Sequence, residues 1–177
     1  MTFTVTSDNS ALFALQPAVG SNGKLTFTPA DDANGTAQVT VTAHDDGGTA
    51  NGGSDTSAAH TFTLTIEPVN DPPSFTKGPD QSVVSLLGAQ TVPGWATAIS
   101  AGPTDESSQN VTFSVSNDNN NLFSVQPAIA PDGTLTYTPA LLAVGSATVT
   151  VRARDDGGSS NGGNDTSAPQ TFTITIL

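Results

Sequence analysis

The chain repeats itself, and the repeat constrains everything else. Residues 2–66 align without a gap to residues 112–176 at a constant offset of 110, and 39 of the 65 pairs are identical. Phe3, Leu12, Phe13, Gln16, Pro17, Gly23, Leu25 and the run Asp45-Asp46-Gly47-Gly48 return as Phe113, Leu122, Phe123, Gln126, Pro127, Gly133, Leu135 and Asp155-Asp156-Gly157-Gly158. A period of this length is too long for a solenoid unit and suits one small domain. The chain therefore reads as part of a tandem array. Near-copies of one domain in line serve stalks, spacers and adhesins more readily than catalysis.

The alignment also predicts an asymmetry. Residues 75–110 have no partner in the first copy. The sequence predicts a first unit over 1–68 that lacks its N-terminal strands and a complete second unit over 69–177. A sheet without those strands exposes unpaired N–H and C=O groups and part of its core. On this reading the chain is a piece of a longer protein, and the first unit is either frayed or completed by another chain.

Alternation of apolar and polar residues marks strands throughout. Leu135–Thr138, Ala147–Val151 and Phe172–Ile176 alternate with period two, as do Leu25–Thr28, Ala37–Thr42 and Phe62–Ile66. Phe113 and Val115 are expected on one face, with Leu122 and Val125. Asn22-Gly23 and Asp132-Gly133 are turn signals just ahead of strands. No segment has a useful helical period, and Val92–Ser100, with Trp95, is the one ambiguous stretch. Short strands separated by turns about every ten residues predict an all-β, antiparallel Greek-key sandwich, with about seven strands in the second unit. Between the units, Glu67-Pro68-Val69-Asn70-Asp71-Pro72-Pro73 carries three prolines. Proline cannot donate to a central ladder and stiffens the chain, so this is the junction, and two units joined end to end with limited freedom are expected.

Sixteen acidic residues face four basic ones, a net charge of −12. That excludes the basic patches that nucleic acid and anionic membrane surfaces require. No apolar run reaches membrane-spanning length, and with no cysteine there is no disulfide framework and no thiol chemistry. His44 and His60 become Arg154 and Gln170 in the second copy, and no nucleophile motif or phosphate-cradling loop is present. The sequence does not read as an enzyme.

At Val69-Asn70-Asp71-Pro72-Pro73 the chain resembles the cadherin-like tandem repeats of large bacterial surface and secreted proteins. Ala153-Arg154-Asp155-Asp156-Gly157 and Ala43-His44-Asp45-Asp46-Gly47 resemble the cadherin Ala-x-Asp-x-Gly motif. Asp105 stands where cadherins carry an Asp-x-Asp, and Asp31-Asp32 where they carry Leu-Asp-Arg-Glu. The resemblance covers nearly the whole chain. It implies a cadherin-like or Ig-like fold and an extracellular spacer or adhesion role. Neighbouring repeats of the same protein, or homotypic association, would supply the partners. It further implies Ca²⁺ at the junction, held by Asp31, Asp32, Glu67, Asn70, Asp71, Asp105 and Asp155. Calcium takes six to eight oxygen ligands, and clustered carboxylates repel one another without a cation. The same Asp and Asn residues also serve simply as turn caps.

The second copy departs from the pattern. Ala140-Leu141-Leu142-Ala143 replaces Ala30-Asp31-Asp32-Ala33, which removes acid from the far end of that unit. Core packing is the expected fate of Leu141 and Leu142, a contact surface the other. The Gly-rich loop 45–57, repeated at 155–167, is expected to be a hairpin with Asx-turns, although it could hold an ion. Two further functions stay open: a module completed by strand exchange, and a carbohydrate- or protein-binding sandwich. For the latter, Trp95 and Tyr137 are the candidate stacking rings, with burial the expected fate of both.

Overall fold

The computed structural model describes residues 1–177. Contacts divide the chain into two compact units, Met1–Pro68 and Val69–Leu177. The first contains β1 (Thr2–Ser7), β2 (Phe13–Val19), β3 (Leu25–Pro29), β4 (Gly35–His44) and β5 (His60–Ile66). The second contains β6 (Ser74–Thr76), β7 (Gln81–Val83), β8 (Gln90–Val92), β9 (Thr97–Ser100), β10 (Thr112–Asn117), β11 (Phe123–Ile129), β12 (Leu135–Pro139), β13 (Gly145–Arg154) and β14 (Gln170–Ile176). The fold is all-β. The second unit has nine strands rather than seven, because the ambiguous stretch folds as the end of β8, a turn carrying Trp95, and β9. Strand β9 pairs with β6 as a separate short ribbon.

In the second unit one sheet runs β10-β13-β14-β7 and the other β11-β12-β8. All pairings are antiparallel except β7 on β14, which is parallel, with Gln81 opposite Ile174 and Val83 opposite Ile176. The chain crosses between sheets at β7–β8, β10–β11 and β12–β13, so each sheet gathers strands distant in sequence. Alternation aims Val149, Val151, Ile174 and Ile176 from one sheet at Leu135 and Tyr137 from the other. This is the period-two pattern of half-buried strands made physical. Trp95 closes the layer. Its ring lies 4.3 Å from that of Phe172, and its Nε1–H donates to the Pro79 carbonyl at 2.9 Å. A β-carbon on Gly78 would press into that indole, so the close approach demands glycine.

The first unit repeats the five strands shared with β10–β14 and has nothing in the place of β6–β9. Its sheets are β1-β4-β5 and β2-β3. Equivalent positions therefore meet different burial. Phe172 is 3% exposed and its equivalent Phe62 is 37%; Tyr137 is 3% and its equivalent Phe27 is 37%. The first unit's core contracts to a cluster of Leu12, Phe13 and Ala37, with Leu64 and Ile66 only half-buried against it. Fully burying such a side chain is worth about 1.5–3 kcal/mol, so the second unit gains several such increments that the first forgoes.

One face assignment fails. Val125 is 58% exposed, because β11 shifts register on either side of it. A bulge of this kind turns the side chain outward. Leu122 and Phe123 are buried as expected.

Two outcomes follow from the burial difference. Phe172→Ala should cost the second unit about 3–5 kcal/mol, and Phe62→Ala should cost the first less than about half of that. Chemical denaturation resolves the two. Amide exchange should be slow along β14 and fast at the outward-facing amides of β5, since no strand covers that edge.

Candidate functional site

Asn70 is the hub of a polar cluster at one end of the second unit. Its Nδ2–H₂ donates to Asp155 Oδ1 at 3.0 Å and to the Asn164 carbonyl at 3.0 Å. Its Oδ1 accepts from Gln109 Nε2 at 2.8 Å, and its backbone carbonyl accepts from Asn164 N–H at 2.9 Å. Next to it, Asp71 N–H donates to Glu106 Oε1 at 2.9 Å. The linker residues that the prolines flank are thus bound to three elements: the 3₁₀ turn Thr104–Glu106, the segment just after it, and the Gly-rich loop following β13.

The loop is folded by its own sequence. Asp155 Oδ1 accepts from Gly157 N–H at 3.0 Å, as Asp45 Oδ1 does from Gly47 N–H at 2.7 Å. These are the Asx-turns expected of Asp-x-Gly. Asn161 and Asn51 adopt the left-handed conformation, with φ of 57° and 55°. In the second unit Arg154 Nη2 lies 2.8 Å from Asp165 Oδ2 across the loop. Glycine is required where the loop meets the hub, because a β-carbon on Gly157 would collide with the Asn70 amide. Likewise a β-carbon on Gly102 would collide with Glu106 Oε2.

Three oxygens in this cluster are buried and have no hydrogen-bond partner: Glu106 Oε2, Gln109 Oε1 and Asp155 Oδ2. Glu106 is 6% exposed and Asp155 is 5%. A buried carboxylate oxygen without a donor is costly. All three belong to residues joined through Asn70 and Asp71. The set is built from two carboxylates and amides; no group of three or more Asp, Glu or His side chains converges anywhere in the structure.

The residues expected from the sequence divide between the units. Asn70, Asp71 and Asp155 lie within this cluster, through the bonds given above. Asp105 is exposed on the 3₁₀ turn, and its neighbour Glu106 is the one turned inward. Asp31, Asp32 and Glu67 belong to the first unit and are exposed. There the pairing of Gly35 with Ile66 brings the Asp31-Asp32 turn and Glu67 to the same end of the sheet. Glu106 and Gln109 were not anticipated. The only sequence signal was Glu106 standing beside the Asp105 that motif matching favoured.

Electrostatics at the rim are ordinary and favourable. Hydrogen bonds from the side chain and then the backbone N–H of Asn110 hold the Asp156 carboxyl below the usual carboxylate range. The Thr166 hydroxyl and then Arg154 do the same for Asp165. A lowered folded-state value means that the stabilisation is complete above the unfolded carboxylate pKa, near 4, and is lost as pH falls through the folded value. Trp95 and Tyr137 are buried, at 2% and 3% exposure, so neither ring presents a face for sugar stacking.

No protein-family model and no curated protein matches the sequence. Solved structures do match. Human protocadherin-24 EC1-2 (Form II) aligns over 99% of this chain and 81% of its own, with a TM-score of 0.60 and 17% identity. Another crystal structure of human protocadherin-24 EC1-2 gives 0.55 and 16% over the same shares. Human mucin-like protocadherin EC1-2 gives 0.50 and 14%, over 99% and 84%.

Truncating the hub should be expensive. Asn70→Ala leaves Asp155 Oδ1, Gln109 Nε2 and the Asn164 carbonyl each short of a partner, and should lower the stability of the second unit by about 2–3 kcal/mol in urea denaturation. Acid titration of the wild type should show stability falling below about pH 4, and Asp156→Asn should flatten part of that slope. By its fold this chain is a cadherin-like β-sandwich protein.

Proposed function

We propose that the chain is a structural and adhesive repeat segment of an extracellular protein, of the bacterial surface or secreted kind that its motifs resemble, and that it binds calcium at the Asn70 cluster. The observation that carries the reading is the trio of buried, partnerless oxygens on Glu106, Gln109 and Asp155. A Ca²⁺ ion would satisfy them and neutralise two carboxylates at once. Glu106, Gln109, Asp155 and the linker oxygens of Asn70 and Asp71 are the donors that the second unit offers. Asp31, Asp32 and Glu67 are further donors on the sequence resemblance alone.

The functional consequence is mechanical. Asn70 and Asp71 are the chain's connection between its units. Tying that connection to a bound ion converts a proline-stiffened linker into one held at a fixed point. Calcium would then set the rigidity of an array, and its withdrawal would loosen it.

A second reading rests on the first unit. The outer edge of β5 and the free edge of β3 are those that β7 and β8 cover in the second unit, and Phe27 and Phe62 beside them are 37% exposed. Strand addition from another chain would satisfy edge and face together. A peptide spanning residues 74–100 supplies the donor strands. Its binding should slow amide exchange along β5, and unaltered exchange at saturating peptide would overturn strand addition.

For the calcium reading, thermal unfolding is followed with calcium, with magnesium and with EDTA. Calcium at about 100-fold above its Kd should stabilise by roughly 2.7 kcal/mol, with a smaller response to magnesium. Glu106→Gln and Asp155→Asn should abolish the shift, and Asp105→Asn should retain it. An unchanged melting temperature in calcium and EDTA would refute the metal site.

A further inference from the structure

Strand β10 pairs with β13 on one side and with no strand on the other, so it leaves an open sheet edge in the middle of the chain. Leu141 and Leu142, expected in the core, are instead 77% and 73% exposed in the turn after β12. That turn keeps the left-handed backbone of its counterpart, with φ of 59° at Leu142 and 57° at Asp32. It stands at one end of the unit, where a following repeat of a tandem array would meet it. The edge of β10 runs along the side and stays open in an array.

Hydrogen bonds fix which groups of β10 face outward. Asp118 N–H donates to the Thr148 carbonyl at 3.2 Å, and Thr148 N–H donates to Asp118 Oδ1 at 2.8 Å. On the far side of β13, Ala153 N–H donates to Ser167 Oγ at 2.9 Å, and the Ala153 carbonyl accepts from Ser167 N–H at 2.9 Å. Bonding to one neighbour alternates along an antiparallel strand. In the observed register, Thr112, Ser114 and Ser116 therefore bond to β13. Phe113, Val115 and Asn117 aim their N–H and C=O groups away from it. The first unit repeats the arrangement, since Asp8 N–H donates to the Gln38 carbonyl at 3.2 Å.

This edge is undefended. Natural sheets blunt free edges with charge, proline, bulges or short strands. The other edges of the two main sheets are blunted: β11 carries Pro127 and shifts register, and β7 and β8 have three residues each. Strand β10 has six residues in unbroken register, without charge or proline.

The partner that fits is the same strand. Turned about a two-fold axis through Val115, β10 meets a second β10 antiparallel. Val115 then stands opposite the partner's Val115, and Phe113 opposite the partner's Asn117. Each such pair exchanges both of its hydrogen bonds, so every outward group of the three residues is satisfied. Phe113 and Val115, half-buried in the single chain, gain cover. Charge favours this orientation. Arg152 and Arg154, two of the chain's four basic residues, stand opposite Ser114 and Thr112 at one end of β10. Asp118 follows the other end. Antiparallel pairing brings the partner's Asp118 to the basic end, whereas parallel pairing sets Asp118 beside its own copy. In the first unit the two arginine positions are Thr42 and His44, so the complement belongs to the second unit. We infer that β10 is a self-pairing edge, through which two copies of this chain join their β10-β13-β14-β7 sheets into one across an isologous contact. The contact uses none of the residues of the Asn70 cluster.

The chain has no cysteine, so cross-linking tests the register. In the paired strands Ser114 stands directly opposite the partner's Ser116, with β-carbons about 4.5–5.5 Å apart, a separation that a small shift brings into disulfide range. Ser114 and the partner's Ser114 are diagonal neighbours, about 7–8 Å apart, and too far. Ser114→Cys mixed with Ser116→Cys should give a covalent dimer on mild oxidation, and either variant alone should not. Sedimentation equilibrium of the full chain in EDTA should show wild type moving from chain mass toward twice that mass as concentration rises into the high micromolar range. Ser114 and Ser116 are exposed, so Ser114→Lys with Ser116→Lys should keep the wild-type melting temperature. It sets like charges opposite each other and should stay monomeric. Mixing it with Ser114→Glu plus Ser116→Glu should restore the dimer. A wild type that stays monomeric at every concentration would overturn the inference. So would a dimer that survives the lysine pair, or cross-linking of Ser114→Cys with itself as readily as with Ser116→Cys.

Discussion

Burial in this molecule depends on covering two sheet edges and the layer between them. In the second unit β7 runs beside β14, β8 beside β12, and Trp95 drops onto Phe172 between them. Remove that segment and the inner faces no longer close. The first unit is the internal control, since the equivalent strands there leave Leu25, Leu64 and Ile66 only half-buried. Strand propensity gives both copies their strands, but a sandwich needs both inner faces sealed.

The second constraint is the fastening of the linker. Prolines on both sides of Asn70 and Asp71 limit the backbone, yet it is the Asn70 amide that fixes the segment, by bonding in three directions. Each partner comes from a different stretch: residues 104–109, the loop after β13, and the linker itself. Glycines at 102, 157 and 163 let those stretches approach. The network is satisfied at its centre and leaves three outer oxygens without a partner. That is a different thing from a surface rich in acid, which the −12 charge alone would describe.

The two ends of the second unit also differ in kind. One gathers carboxylates and amides around the linker, the other exposes Leu86, Leu87, Leu141, Leu142 and Val144. The Asp-to-Leu change between copies falls on a turn whose backbone is the same in both, so the change alters surface chemistry without altering shape.

The sequence by itself determined the strands that both copies share, the turns at Gly23 and Gly133, and the Asx-turns of the Gly-rich loops. These follow from short-range rules: period-two alternation, positive φ at glycine, and Asp-x-Gly geometry. Their causes lie within a few residues. Tertiary structure decided the rest. Val125 faces solvent because a bulge changes the register of β11 against β12. Leu141 and Leu142 are exposed because their turn lies past the end of the sandwich, where there is no opposing sheet to receive them. Glu106 replaces Asp105 in the polar cluster because a 3₁₀ turn rotates one neighbour inward and the other out. Gln109 joins it through a contact 39 residues away in sequence. Alternation says which residues can share a face. Only the packing of distant strands says whether anything lies across from that face, because the covering segment is set by topology and not by local pattern.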